Sequence, residues 1–209
     1  MTRLYAIAAA AALAAILGGT AGAIWFGRTG DNPFANCSQG QVGGGDIGGP
    51  FTLVDQTGAT VSEKDVLKEA SLVYFGYGFC PDVCPLDNAR NAQVVDILEE
   101  QGLSVTPVFI TIDPARDTPE AMADYVAAIH PKMIGLTGTA EQVKAASAAY
   151  KTYYRQQPAE DDYYLMDHST FTYLMLPNAG FVEFFDRDVT ADIMADRVAC
   201  FMEADGPAA

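Results

Sequence analysis

The stretch FGYGFCPDVCPLDNAR, residues 75–90, joins a β-rich apolar run to an amphipathic segment through a loop that carries two of the chain's four cysteines. The run before it, SLVYFGY (71–77), has the composition of a buried central strand. The segment after it, PLDNARNAQVVDILEEQG (85–102), repeats Leu86, Ala89, Val94, Ile97 and Leu98 near helical spacing and stops at Gly102. A strand, a loop with two cysteines and a helix is the thioredoxin arrangement in outline. Cys80 lies in the loop and Cys84 in or just before the first helical turn, and Pro81 and Pro85 stiffen the connection. A helix N-terminus presents unpaired N–H groups and partial positive charge, so it favours thiolate over thiol.

Outward from this core, strands and helices alternate. FTLVD (51–55) and GATVS (58–62) predict a β-hairpin turning at Gln56-Thr57-Gly58. LSVTPVFITID (103–113) is a second buried strand, and Thr118-Pro119 opens a helix that runs to about His130. MIGLTG (133–138) predicts a short strand and TAEQVKAASAAYK (139–151) a further helix. FTYLMLP and GFVEFF, joined by the turn Pro177–Gly180, predict a terminal hairpin, followed by a helix over about Thr190 to Glu203. The expectation is an α/β domain with a central mixed sheet flanked by helices and an N-terminal β-hairpin.

The chain has 209 residues and a formal charge of −15, which argues against nucleic acid as a partner, since that needs a Lys/Arg footprint. Between Arg3 and Arg28 there is no charge, and Leu4–Phe26 is long enough to cross a bilayer as a single helix. Ala21-Gly22-Ala23 offers the competing reading of a cleaved signal peptide. Either way the remaining chain is expected outside the cytoplasm. The expected organisation is an anchor or signal peptide over 1–27, a Gly/Asn/Ser-rich linker over 28–48, the domain over 49–203 and a tail over 204–209. Cys37 in the linker and Cys200 in the last helix are a candidate disulfide, the alternative being two free thiols.

Cys80 and Cys84 have three readings: electron exchange, metal binding, or a staple. So short a loop gives a staple little chain entropy to remove. Thioredoxin-type enzymes use two intervening residues, whereas here there are three. The wider gap suits two thiolates converging on one soft ion. Zinc sites want four ligands and iron–sulfur clusters about four cysteines, so a three-coordinate copper site fits these residues better. Only two histidines exist. His130 ends a helix before a proline and reads as structural. His168, in YYLMDHSTFTYLML (163–176), sits where the chain enters the terminal hairpin, and by itself is either a packing residue or a ligand. Met166 reads as core packing.

Three motifs together resemble the Sco/SenC family, copper proteins that assist assembly of cytochrome c oxidase: LVYFGYGFCPDVCP (72–85), VFITIDPARDTPE (108–120) and YYLMDHSTFTYLMLPNAGFV (163–182). They stand in the family's order, and the similarity covers roughly residues 48–202. The resemblance implies a thioredoxin-like fold and a copper site with Cys80, Cys84 and His168 as ligands, holding Cu(I) and accepting Cu(II) if a further group joins. It implies a periplasmic domain on an inner-membrane helix that passes copper to the binuclear copper-site subunit of cytochrome c oxidase. A periplasmic copper donor and a thiol reductant would serve it. Gly78 departs from the family, which commonly has a threonine or another side chain there. Asp113, Arg116 and Asp117 follow a central strand at its carboxyl end, either as support for the site and partner contact or as a capped turn with an ion pair. Asp167 adjoins the histidine as a candidate to orient it or meet a partner. The alternative function is a thiol–disulfide oxidoreductase, with Cys80 the nucleophile and Cys84 the resolving thiol, or a redox or copper sensor.

Overall fold

The computed structural model describes residues 33–38, 47–159 and 163–206, with isolated positions between 5 and 20. The chain divides into two units, 1–35 and 36–209. In the first, Tyr5, Ala12, Ala15 and Gly18–Thr20 are helical and exposed. Among the described residues no helix is long and apolar enough to cross a membrane. Most of the Leu4–Phe26 run expected to do so, and much of the 28–48 linker, lie outside those residues.

The second unit is built on a seven-stranded mixed sheet. Its strands are β1 (Thr52–Asp55), β2 (Thr60–Ser62), β3 (Ser71–Gly76), β4 (Thr106–Thr111), β5 (Ile134–Thr137), β8 (Thr172–Leu176) and β9 (Gly180–Phe185), in the order β2-β1-β5-β4-β3-β8-β9. β3, β4 and β5 are parallel; β8 and β9 extend one side antiparallel, and β1 and β2 the other. β3 is buried along its whole length, as the central position of a sheet covered on both faces requires. Its apolar run therefore shows no alternation, and Val73 and Phe75 join Phe109, Ile110, Leu136, Tyr150 and Tyr173 in one core.

The helices are α1 (Glu63–Val66), α2 (Val83–Glu100), α3 (Pro119–Ile129), α4 (Ala140–Ala149) and α5 (Ala191–Asp205). The Thr118 hydroxyl accepts from the Ala121 N–H with Pro119 at the helix start, as the sequence predicts. The expected mixed sheet, first hairpin and terminal hairpin are all present. α1, a single turn in which Asp65 accepts from the Ser62 N–H, is too short to show a period and was not expected. Leu86 departs from the predicted apolar face of α2: it is 59% exposed, and Asp87, Asn88 and Asn91 are buried instead. The first half of α2 buries these polar side chains alongside Cys84, which joins the core, and Val94, Val95 and Leu98 are buried further along the helix.

Two further strands, β6 (Tyr154–Gln156) and β7 (Met166–His168), pair antiparallel as a separate ribbon. His168 therefore ends β7, opposite Tyr154, and does not enter the terminal hairpin directly. Three-residue strands paired across a long loop leave no period in the sequence to read. Cys37 and Cys200 are joined by a disulfide with Cα atoms 5.6 Å apart.

Candidate metal centre

The parallel strands β3 and β4 end side by side, Gly76 opposite Thr111, and the candidate site lies beyond these carboxyl ends. The chain leaves β3, and the Cys80 N–H donates to the Tyr77 carbonyl (3.1 Å), closing a tight turn before α2. Asp82, at the position preceding α2, makes no capping side-chain hydrogen bond. Instead the Cys80 sulfur accepts from the Cys84 N–H at 3.3 Å, so a sulfur occupies the place of a helix cap. Cys84 sits in the first helical turn, fully buried, and its carbonyl accepts from the buried Asn88 amide at 2.8 Å. Gly76 makes room for it: a Cβ there would lie 2.9 Å from the Cys84 Sγ.

His168 reaches the pair from β7. Its Nε2 lies 3.4 Å from the Cys84 Sγ, and its Nδ1 lies 2.7 Å from the Ser169 carbonyl oxygen. A carbonyl only accepts, so Nδ1 carries the proton and the Nε2 lone pair faces the sulfurs. Tyr74 and Tyr77 stand edge-on to the imidazole, with ring centroids 6.3 and 5.8 Å away. The ligand atoms of Cys80, Cys84 and His168 all lie within 4.8 Å of one another.

The two thiols are electrostatically distinct. A hydrogen bond from the Cys84 thiol, with further help from the N–H groups of Asp82 and Cys84, holds the Cys80 thiol down to about 3, against the opposing effect of burial. The same hydrogen bond to Cys80, together with burial, pushes Cys84 up. The pair is thus one partly exposed thiolate beside one buried thiol. Burial, with the negative charge of Asp87, raises Tyr74, which stays neutral and donates to the Asp87 carboxylate at 2.9 Å. Asp87 also accepts from Arg187 Nε at 3.2 Å. Tyr77 is raised to about 12, chiefly by burial.

Asp113, Arg116 and Asp117 lie in the turn after β4. The Asp117 carboxylate accepts from the Gly78 N–H (2.9 Å) and the Thr111 hydroxyl (2.5 Å), and burial raises its pKa. A Cβ at Gly78 would come within 2.8 Å of the other Asp117 oxygen, so the side chain found in the family would force this contact to shift. Arg116 pairs with Asp113 at 2.5 Å, as the capped-turn reading has it, but also reaches the histidine segment. Asp167 turns elsewhere: it accepts from Arg155 (2.9 Å) and Gln157 (2.6 Å), and the hydrogen bond that orients His168 comes from Ser169. On β7 neighbouring side chains point to opposite faces, which separates Asp167 from the imidazole's partners.

His130 is buried, with Nε2 3.3 Å from Asp96 and Nδ1 accepting from the Lys132 N–H, which is the structural role read from its sequence position. Met166 packs against the core. Tyr74, Tyr77, Tyr164 and Ser169 were not singled out from the sequence. Tyrosines inside an otherwise apolar strand carried the available signal, because a buried hydroxyl needs a partner.

The SCO1/SenC family model matches residues 39–203. The protein SenC of Rhodobacter capsulatus is 50% identical over 200 residues, covering 95% of this chain and 90% of SenC. The mitochondrial SCO1 homolog 1 of Arabidopsis thaliana is 42% identical over 153 residues, 73% of this chain; the match takes in 46% of that longer protein. A crystal structure of Arabidopsis thaliana ScoI with copper bound superposes with a TM-score of 0.71 at 41% identity, covering 74% of this chain and 98% of that one. With the fold, the order of the motifs and these likenesses in agreement, the chain belongs to the SCO1/SenC family.

Proposed function

We propose that Cys80, Cys84 and His168 bind one copper ion and that the protein is a copper chaperone for the binuclear copper site of cytochrome c oxidase. The observation that carries this reading is the convergence of two sulfurs and one imidazole nitrogen within 4.8 Å. Two soft sulfur donors select a soft ion, and three ligands suit trigonal Cu(I) better than the four-coordinate preference of zinc. The copper bound to a relative of 41% identity supports the same choice. In this reading Leu4–Phe26 anchors the chain in the inner membrane, the domain works in the periplasm, and a copper donor and a thiol reductant are its other partners.

The chain's own groups prepare for the ion. Cys80, already a thiolate and partly exposed, meets it first, and His168 offers Nε2. Cys84 surrenders its proton on loading, so binding releases about one proton near neutral pH. A disulfide between Cys80 and Cys84 would remove both sulfur ligands, so the redox state of the pair gates loading. Titrating the reduced full chain with Cu(I) tests the assignment: one equivalent is expected to bind tightly, and Cys84→Ser to lose that binding. Tight stoichiometric binding by Cys84→Ser would refute it.

One observation favours a second reading, a dithiol reductase: a partly exposed low-pKa thiolate beside a buried thiol is the layout of a nucleophile and a resolving cysteine. Cys80 would attack a substrate disulfide and expel one thiolate. Cys84 would then displace the second, closing the Cys80–Cys84 disulfide, which an external thiol reductant reopens. His168 separates the two readings. Biological activity that survives His168→Ala but not Cys80→Ser would favour the reductase.

A further inference from the structure

We propose that Arg116 is a positioning residue that clamps the histidine-bearing ribbon onto the cysteine loop, setting the approach of His168 to Cys84 before any ion arrives; this rests on the metal-binding reading above. The need for a clamp follows from the fold. Cys80 and Cys84 are fixed by β3 and α2, whereas His168 rides on a ribbon of two three-residue strands outside the seven-stranded sheet. A ribbon that small is marginal by itself.

Arg116 touches both sides. Toward the ribbon, its Cζ lies 3.6 Å from the centroid of the Tyr164 ring, and an Nη donates to the Tyr164 carbonyl at 3.0 Å. The Tyr164 hydroxyl donates to Asp113 at 2.8 Å, and Asp113 in turn accepts from Arg116 Nε at 2.5 Å. Toward the cysteine loop, the same guanidinium lies 5.0 Å from the Phe79 ring and 5.7 Å from that of Tyr77. Phe79 immediately precedes Cys80, and Tyr164 stands four residues before His168.

The base of the clamp is rigid. The turn after β4 is closed by the N–H groups of Arg116 and Asp117, both donating to the Asp113 carbonyl. Asp117 also accepts from the Gly78 N–H, so the turn grips the cysteine loop by its backbone as well as by ring contact. Stacking on one ring while donating in the guanidinium plane is a geometry that a lysine ammonium does not reproduce. Arg116 touches no ligand atom; it acts through Tyr164 on one side and Phe79 on the other. Removal of Arg116 leaves both sulfurs in place and frees the imidazole.

The test compares Arg116→Ala, Arg116→Lys and Tyr164→Leu with the wild type and with His168→Ala, all as the reduced full chain. In the apo proteins, amide hydrogen exchange is expected to quicken across residues 163–169 while β3 and α2 keep their protection. By competition with a chromophoric Cu(I) chelator, each clamp variant is expected to bind about 10- to 100-fold more weakly, the usual loss when a ligand's support is removed. Arg116→Ala is expected to add no further loss in a His168→Ala background, because both act through the same imidazole. Wild-type exchange over 163–169 in both Arg116→Ala and Tyr164→Leu would overturn the clamp, as would a loss on Arg116→Ala that persists in full without His168. If instead His168→Ala binds Cu(I) as the wild type does, the metal-binding reading fails, and the exchange measurement still decides the clamp.

Discussion

Opening the Cys37–Cys200 disulfide is expected to cost this domain more than any single side-chain change. The bond joins residues 163 positions apart, so it closes a loop through nearly the whole folded unit. The chain-entropy relation for a loop of that length gives about 5 kcal/mol of stabilisation, exerted on the unfolded state. For a protein of this size each kcal/mol moves the midpoint by about 2–4 °C, so Cys200→Ser is expected to melt about 10–20 °C below the wild type. Ser replaces Cys nearly isosterically, and Cys200 is not among the metal-site residues, so the apo protein reports stability alone. The assay is thermal unfolding followed by circular dichroism on the apo protein, with Cys200→Ser and Cys37→Ser expected to agree. Intact mass after alkylation without reductant should show the wild type labelled at Cys80 and Cys84 only. A midpoint within about 3 °C of wild type in both variants would refute the reasoning, because it falls outside the shift that the loop length demands.

Three shorter predictions concern the site. Because the Cys80 pKa is depressed to about 3, its thiolate persists as pH falls, and its alkylation rate by iodoacetamide should stay nearly level from pH 8 to pH 5; a tenfold fall per unit, as an ordinary thiol of pKa about 8.5 shows, would contradict the hydrogen-bond assignment. Calorimetric loading of Cu(I) in buffers of different ionisation enthalpy near pH 7 should report about one proton released, from Cys84; about two would mean that Cys80 also enters as a thiol. Gly76→Ala places a Cβ 2.9 Å from the Cys84 Sγ and from the Tyr74 ring, so overpacking should cost about 1–3 kcal/mol and weaken Cu(I) binding together. Unchanged affinity in that variant would show that Cys84 moves aside freely.

The parts of the fold that were legible in the sequence are those with a period or a local signal. β3 and β4 are long apolar runs, α3 carries a Thr-Pro start, and the terminal hairpin has its Pro177–Gly180 turn. The ribbon that carries His168 was not legible, because three-residue strands whose partner lies beyond a loop have neither period nor turn chemistry. Leu86 misled for a related reason. Helical spacing identifies a stripe, but the end of α2 nearest the site buries Asp87, Asn88 and Asn91 against polar partners, which a hydrophobic pattern does not register.

The site divides the same way. The cysteines announced themselves by spacing and by their helix start, and His168 by a motif shared with the family. Asp167 drew attention by adjacency in sequence, yet its carboxylate turns to Arg155 and Gln157, while a backbone carbonyl orients the imidazole. Arg116 was readable as half of an ion pair with Asp113, three residues away. Its stacking on Tyr164 spans 48 residues of sequence and belongs to the tertiary fold.

X-ray absorption at the copper edge, on the reduced full chain loaded with one equivalent of Cu(I), bears most directly on the central claim. The account requires a three-coordinate ion with two sulfur scatterers and one imidazole nitrogen, and the nitrogen contribution should vanish in His168→Ala. A wild-type site with sulfur alone, or a nitrogen contribution that survives His168→Ala, would contradict it.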